Sequence, residues 1–365
     1  MSVKKNANKT SGVNRPDDSC GVDDLRLLLN KKFGDGAIIP LSEDFKVKCD
    51  VIPTGSLQLD YAMGVGGWPR GRVCEIIGPE ASGKTTLALH AVANAQLQGG
   101  VAAFIDAEHA LDPSYAQRLG VDFKRLIFSQ PDSGDQAFEI IETLVESGKV
   151  SVVVVDSVAS LVPKEELEGE ISDNKMGAQA RLMSKALRRV CAKTQKSNVC
   201  IIFINQIRHK IGIFMGNQET TPGGNALKFY ASMRVDIRKM ESIKNSDNNI
   251  VGHLAKIKIV KNKVSIPFKS CIINIVYGAG INYTYDLLEC GIKYDFITKA
   301  GSWLIYDKTK LGMGTQNAMA FLKQNEEIMK KLDSEIRTKL FSGDVPVVEA
   351  DTDNVNDIEE KDDGD

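Results

Sequence analysis

The 365-residue chain lacks most features that would assign it to a special class. It has no run of ~18 apolar residues of the kind that crosses a bilayer. Its first residues, Met1-Ser-Val-Lys-Lys-Asn-Ala-Asn-Lys-Thr-Ser11, carry no apolar stretch of a secretion signal. The expectation is a cytoplasmic protein that does not engage a membrane. Histidine is scarce, at four scattered residues, and the seven cysteines form no C-x-x-C pair. A zinc site or a disulfide framework is therefore not expected, and most of the cysteines, set in apolar runs, read as small core residues. No internal repeat is visible.

A strong net charge is also lacking: the formal value is −2. The charge is unevenly spread, however. The last 22 residues, 344–365, hold ten acids and one base, so residues 1–343 are net positive. A basic body with an acidic, disordered tail fits a polyanionic partner with which the tail competes; a tail that merely keeps the protein soluble fits the charge equally well.

Composition divides the chain into five segments. Residues 1–19 read as a polar disordered arm. Residues 20–50 read as an oligomerisation element, with a helix over 22–33, stopped near Gly34, and a short strand over Ala37–Leu41. It is too small to fold alone and needs a partner surface. From about 51 to 281, apolar strands alternate with helices. The strands are expected at Val73–Ile77, Val101–Ile105, Leu126–Phe128, Val152–Val155, Val199–Ile204, Met233–Arg238, Ala255–Val260 and Ile272–Tyr277. The helices are expected at Thr85–Gln98, Pro113–Leu119, Gly134–Ser147 and Gly177–Lys196. Continuous apolar strands such as Val152–Val155 predict a sheet covered on both faces, and the alternation predicts parallel βαβ units, with antiparallel strands later. Residues 282–343 form a separate domain with helices at Tyr285–Cys290, Gln316–Gln324 and Glu326–Leu340. In the last of these, Ile328, Met329, Leu332, Ile336 and Leu340 make one apolar stripe. Residues 344–365 are the tail.

The most informative segment is Gly78-Pro79-Glu80-Ala81-Ser82-Gly83-Lys84-Thr85, followed by Thr86. It matches G-x-x-x-x-G-K-[ST], and it stands between an apolar strand and a helix-forming run, the context this motif requires. Backbone N–H groups of such a loop and of the following helix converge on phosphate. Lys84 reaches the β- and γ-phosphates, and the Thr85 hydroxyl holds Mg²⁺. The implied ligands are ATP and Mg²⁺.

Three further strands end in polar residues. Val152–Val155 leads to Asp156, placed to hold the Mg²⁺ shell beside Thr85. Ala102–Ile105 leads to Asp106 and Glu108, and Glu108 is placed to orient or deprotonate an attacking water, although an acid there could also start the helix at Pro113. Ile201–Ile204 leads to Asn205 and Gln206, an amide near the γ-phosphate end that can sense whether the phosphate is present. After Gln206 comes a glycine-rich stretch, about 207–224, in which Arg208, His209 and Lys210 stand beside Ile211, Ile213, Phe214 and Met215. A second stretch, about 161–177, carries Lys164, Lys175 and Met176 and enters a helix with Arg181, Lys185 and Arg188 along one face. Two basic, partly apolar loops at one sheet edge suit a single-stranded nucleic-acid channel; an ordinary surface lid and a solvated helix face would carry the same residues.

Taken together, the residues resemble the bacterial RecA recombinase family. The resemblance rests on Gly78–Thr85, Asp106–Pro113, Val154–Ser157, Phe203–Arg208, Gly223–Tyr230 and Val260–Val264, in order, and runs from about residue 22 to 340. It implies an α/β fold: a P-loop (RecA-type), mostly parallel central sheet flanked by helices, with a small N-terminal helix-strand element and a small α+β C-terminal domain. It further implies a filament on DNA with ATP between adjacent copies, homologous pairing of single-stranded with duplex DNA, strand exchange, and stimulated self-cleavage of a LexA-type repressor, with filament loaders as partners. By matched position, Lys84, Glu108, Gln206, Lys261 and Lys263 would be catalytic, the two later lysines reaching a neighbour's γ-phosphate. Asp112 and Tyr115 would face the adenine. Met176, Arg181, Arg188, Arg208, Ile211, Gly223, Gly224 and Asn225 would lie at the DNA, and Phe229 would link the sensing loop to the interface. The N-terminal helix would dock on an adjacent core, and the acidic tail would restrain duplex entry. One position departs from the family: Gly212-Ile-Phe214-Met215-Gly216 has the aromatic one place earlier than the family's Met-then-Phe order.

Three other readings fit parts of the sequence. A ring-shaped helicase or motor on the same core predicts directional unwinding, a small-molecule kinase or transport ATPase predicts turnover without DNA, and a non-catalytic regulator predicts binding without turnover. The separated lysines and the N-terminal helix favour a filament over a ring, the two basic loops are unexplained by the kinase, and Lys84, Glu108 and Asp156 are superfluous in the regulator.

Overall fold

The computed structural model describes residues 19–34, 37–38, 49–170, 177–209 and 219–341. Among its described residues the N-terminal unit contributes the helix α1 (Ser19–Phe33). Leu25, Leu27, Leu28 and Phe33 on it are exposed. Of the strand expected over Ala37–Leu41, only Ala37 and Ile38 are described, and they form a bend whose Ile38 N–H donates to Asn30 Oδ1.

The body of the protein is built on a nine-stranded sheet. Its strands are β1 (Val73–Gly78), β2 (Val101–Asp106), β3 (Leu126–Ser129), β4 (Val150–Asp156), β5 (Cys200–Gln206), β6 (Met233–Lys244), β7 (Ile250–Asn262), β8 (Ser270–Val276) and β9 (Gly280–Ile281). They lie in the order β9-β8-β7-β6-β1-β5-β4-β2-β3. From β6 to β3 every neighbouring pair is parallel. Strands β7, β8 and β9 are added antiparallel, as the thinning of helices late in the sequence led one to expect. The expected β6 and β7 are too short, because the pair continues past Arg238 as a hairpin whose first arm, Lys239–Lys244, is largely exposed.

Period-two alternation explains the unbroken valine run. Val152 and Val154 enter the core on one face, with Leu87, Ala91 and Val92 of α3 (Lys84–Leu97). Val153 and Val155 enter the core on the other, with Phe138 and Ile141 of α5 (Gly134–Ser147) and Met183, Leu187 and Val190 of α6 (Ala178–Ser197). Both faces are covered, so every strand residue can be apolar. Two short helices complete this part: α2 (Leu57–Met63), before β1, and α4 (Pro113–Arg118), between β2 and β3. A further short helix, α7 (Ala226–Tyr230), precedes β6.

A third core lies beyond β9. It is made by α8 (Tyr283–Lys293), the three-stranded antiparallel sheet β10 (Ile297–Ala300), β11 (Trp303–Tyr306) and β12 (Thr309–Met313), then α9 (Gly314–Gln324) and α10 (Glu326–Phe341). The stripe on α10 packs as expected: Leu332, Ile336 and Leu340 are buried, with Ile328 and Met329 against them. The β-sheet here gives the α+β character, though its strands were not individually legible. Buried polar contacts tie this core to α2. Asp286 accepts from Ser56 Oγ at 2.8 Å and from Gln58 Nε2 at 2.8 Å, and Arg337 Nη1 stands 3.6 Å from Asp60 Oδ2. Among the described residues no helix is long and apolar enough to cross a membrane.

Candidate nucleotide site and its neighbouring loops

The C-terminal ends of the parallel strands meet at one edge, and the register sets their neighbours. Gly78 at the end of β1 pairs with Gln206 at the end of β5. Asp106 at the end of β2 pairs with Asp156 at the end of β4. Strand order reverses about β1, the place where open α/β sheets form ligand crevices.

The phosphate loop leaves β1 with an exposed crown, Pro79 to Ala81, and returns through buried Ser82. Gly83 caps α3 in the left-handed region (φ 101°), with no side chain satisfying the helix's first N–H groups. Those donors are free for an anion. A Cβ on Gly78 would stand 2.2 Å from the carbonyl oxygen of Ile237, so glycine is required there by close approach. Lys84 Nζ donates to Pro79 O at 2.7 Å. Burial lowers the Lys84 ammonium's pKa, while Asp156, Glu108 and Glu80 oppose the shift.

Thr85 Oγ1 donates to Asp156 Oδ2 at 2.7 Å. Burial pushes the Asp156 carboxyl up to about 6, with Glu108 and Asp106 adding to the rise and the Thr85 hydroxyl opposing it. A hydroxyl and a desolvated carboxylate side by side make a hard-oxygen pair that suits Mg²⁺. The Ser82 hydroxyl, buried without a protein partner, and the uncapped helix start suit phosphate oxygens. The residues present thus fit both ATP and Mg²⁺.

Glu108 stands on the exposed side of this cluster. Gln206 Nε2 donates to its Oε1 at 3.0 Å, and Ser157 Oγ donates to the same oxygen. The peptide between Asp156 and Ser157 is cis. Glu108 does not start α4: Asp112 does, its Oδ1 accepting from Ser114 N at 2.8 Å. The structure therefore sets aside the helix-start reading of Glu108. Tyr115, half-buried, has its hydroxyl 2.8 Å from Thr86 Oγ1, beside the first turn of α3.

Three residues of the cluster were missed in the sequence. Asp106 accepts from Ala110 N, Leu111 N and Gln130 Nε2 and so fixes the turn that carries Glu108. Ser157 is fully buried beneath Glu108. His253 of β7 lies under the phosphate loop, its Nε2 3.4 Å from Ser82 O. The polar strand end Asp106 was a visible signal; the other two depend on folding alone.

Lys261 and Lys263 lie elsewhere. Lys261 pairs in register with Arg234, and Arg234 with Glu75, near the start of β1 rather than its end. Lys261 Nζ donates to Lys228 O at 2.5 Å and Phe229 O at 3.0 Å, and Lys263 Nζ to Phe229 O at 3.2 Å. Burial, with help from Lys263 and Arg234, lowers the pKa of Lys261 to about 8.

The residues assigned to the DNA loops fall into three groups. Arg181, Lys185 and Arg188 are exposed on one face of α6, while Ala186, Val190 and Thr194 are buried on the other and Leu182 is half-buried. Ala180, Arg181, Ser184, Lys185, Arg188 and Arg189 line a groove of about 510 Å³, and Arg181 also pairs with Glu165 at 3.6 Å. Arg208 is exposed in a two-residue strand, Arg208–His209, that pairs with Glu219–Thr220 and closes the neck of the second loop. Gly223 (φ 85°) and Gly224 (φ 71°) pack directly on the α6 side; a Cβ at Gly224 would sit 2.8 Å from that of Ala180. Asn225 follows as the N-cap of α7, making no side-chain cap bond. Met176, Ile211 and the Phe214-Met215 pair lie outside the described residues. Phe229 on α7 is 70% exposed.

Known proteins resemble this chain in sequence over most of its length. The family model for the RecA N-terminal domain matches residues 24–282, and that for the RecA C-terminal domain matches residues 285–341. The chain is 51% identical over 343 residues to Protein RecA of Treponema denticola, covering 93% of this chain and 83% of the relative. It is 55% identical over 309 residues to Protein RecA of Caldanaerobacter subterraneus subsp. tengcongensis, covering 85% and 90%. It is 53% identical over 309 residues to Protein RecA of Bacillus subtilis, covering 85% and 88%. A phosphate loop, its acidic partners and two basic loop roots on one sheet edge, within a chain matched almost end to end, place this protein in the RecA family.

Proposed function

We propose that the protein is a DNA-dependent ATPase that polymerises on single-stranded DNA, pairs it with a homologous duplex and exchanges strands. The observation that carries this reading is the hydrogen bond from Gln206 to Glu108, because Gln206 is also the root of the second basic loop. One side chain thus touches the hydrolytic carboxylate and begins the segment assigned to DNA. A γ-phosphate that draws Gln206 away from Glu108 frees the carboxylate and shifts the loop together, so ATP and DNA favour the same state.

The chain's residues divide the work. The α3 N-terminus and Lys84 hold the phosphates, with Asp112 and Tyr115 at the adenine. Thr85 and Asp156 hold Mg²⁺, which supplies charge neutralisation to the transferring phosphoryl group. Glu108 orients the attacking water and takes its proton. Lys261 and Lys263 serve the site of an adjacent copy, because in their own chain Lys261 lies in register near the start of β1, away from the strand end that carries the phosphate loop. Met176, Arg181, Arg188, Arg208, Ile211, Gly223, Gly224 and Asn225 follow the DNA, largely through phosphate contacts. The acidic tail limits duplex entry, and the filament stimulates self-cleavage of a LexA-type repressor in a cytoplasmic damage response.

The test is ATP hydrolysis with and without single-stranded DNA, at low and high salt, beside Lys84→Ala. Stimulation by DNA that fades with salt and is absent in the variant is the expected result. Turnover indifferent to DNA contradicts the reading.

A further inference from the structure

Glu75 is the one acidic residue inside β1, and it is fully buried in the middle of the sheet. An apolar residue would pack there at no electrostatic cost, so a buried carboxylate needs another explanation than packing. Its two oxygens have different partners. Oε1 accepts from Asn205 Nδ2 at 3.0 Å, and Oε2 accepts from Arg234 Nε at 2.5 Å.

Each partner leads somewhere. Asn205, also fully buried, holds both ends of the second loop's neck: its Oδ1 accepts from Gln206 N at 3.0 Å, and its Nδ2 donates to Pro222 O at 3.2 Å. Arg234 stands in register with Lys261, and the Lys263 N–H donates to the neighbouring Ser232 O at 2.8 Å. The lysine ammoniums in turn rest on the carbonyl of exposed Phe229. A hydrogen-bonded path therefore runs from Gln206 through Asn205 and Glu75 to Arg234, and Arg234 stands in strand register beside Lys261, whose ammonium feels its like charge.

We propose that Glu75 is a positioning residue that couples the neck of the 207–221 loop to the Lys261–Lys263 pair, so that nucleotide sensed at Gln206 and the surface presented to the next copy change together. This deepens the function proposed above and rests on it. A shift of Gln206 disturbs Asn205 through their hydrogen bond. Asn205 and Arg234 share one carboxylate, so a displacement of either alters the hold on the other. The path needs no contact between Glu75 and nucleotide or DNA.

The experiment measures affinity for a fluorescein-labelled oligothymidine by anisotropy, with and without a non-hydrolysable ATP analogue. It compares the full-length wild type with Glu75→Gln, which keeps the shape and loses the charge. In the wild type the analogue is expected to raise DNA affinity on the order of 5–150-fold, the usual range of coupling between sites. In Glu75→Gln the ratio is expected to fall below about twofold. A structural role alone would lower the melting temperature and leave the ratio intact; that outcome in a folded variant overturns the proposal. If Glu75→Gln does not fold, Glu75→Gln/Arg234→Gln removes both charges together and carries the same expectation. Collapse of both variants makes the bridge a structural one and also overturns it. A wild type that shows no nucleotide dependence overturns the proposed function itself, and so is distinguishable from failure of the coupling alone.

Discussion

Thr85 Oγ1 donates a 2.7 Å hydrogen bond to Asp156 Oδ2, tying the first turn of α3 to the end of β4 across 71 residues of sequence. The bond holds a hydroxyl and a carboxylate at the spacing a cation would use, and the carboxylate is desolvated with only partial compensation from Lys84. Functional pairs of this kind cost stability in the ligand-free protein.

That cost is measurable through pH. Burial raises Asp156 from an ordinary 3.8 to about 6, so the folded protein binds its proton more tightly than the unfolded chain does. The ionised group therefore destabilises the fold above pH 6, by up to about 3 kcal/mol, and the penalty fades as pH falls toward 4. Asp156→Asn should raise the melting temperature of the ligand-free protein at pH 8, give little gain near pH 4.5, and abolish Mg²⁺-dependent hydrolysis. Thermal melts at the two pH values check it; an equal gain at both would show that the carboxylate's charge is not the cause.

Gly78 offers a test of the loop's geometry. An added Cβ meets the Ile237 carbonyl oxygen at 2.2 Å and Ser82 Oγ at 2.9 Å, and the first of these is backbone that cannot rotate away. Gly78→Ala should cost about 1–3 kcal/mol in urea unfolding and weaken nucleotide binding, because the loop must move off β6. A variant that unfolds and binds like the wild type would place the loop differently.

The contact between α2 and the C-terminal helix predicts a second pH effect. Burial pushes Asp60 up to about 7, although Thr54 N and Oγ1 both donate to its Oδ1 at 2.8 Å, and Arg337 is the cation nearest its other oxygen. Arg337→Ala leaves a buried carboxylate without its counter-ion. The loss of stability should be about 3 kcal/mol at pH 8.5 and clearly smaller at pH 6, where Asp60 is neutral. Its bonds to Asp333 and Tyr283 set a part that does not change over this range. Equal losses at both values would remove Asp60 from the account.

How far the sequence could be read follows from what each residue depends on. Asp156, Glu108 and Gln206 stood out because each follows an unbroken apolar strand, and parallel pairing then brings strand ends together. Ser157 and His253 gave no such signal, since their places depend on a turn and on inward alternation in β7. Glu75 was visible as an acid within Val73–Gly78, but its partners lie 130 and 159 residues away, beyond any local pattern. Strands β10, β11 and β12 have only four, four and five residues, too few turns of alternation to separate from loop, so the C-terminal domain showed only its helices. The α10 stripe was legible because 16 residues repeat the helical period several times.

The most direct test of a site divided between copies is complementation. Lys84→Ala lacks the phosphate lysine, and Lys261→Ala lacks the lysine offered to a neighbour; each alone should show almost no DNA-stimulated ATP hydrolysis. In an equal mixture on single-stranded DNA, about a quarter of head-to-tail contacts join an intact phosphate loop to an intact Lys261. Recovery of about that fraction of wild-type turnover is the expected result. No recovery beyond the sum of the separate variants would contradict it and return Lys261 to its own chain.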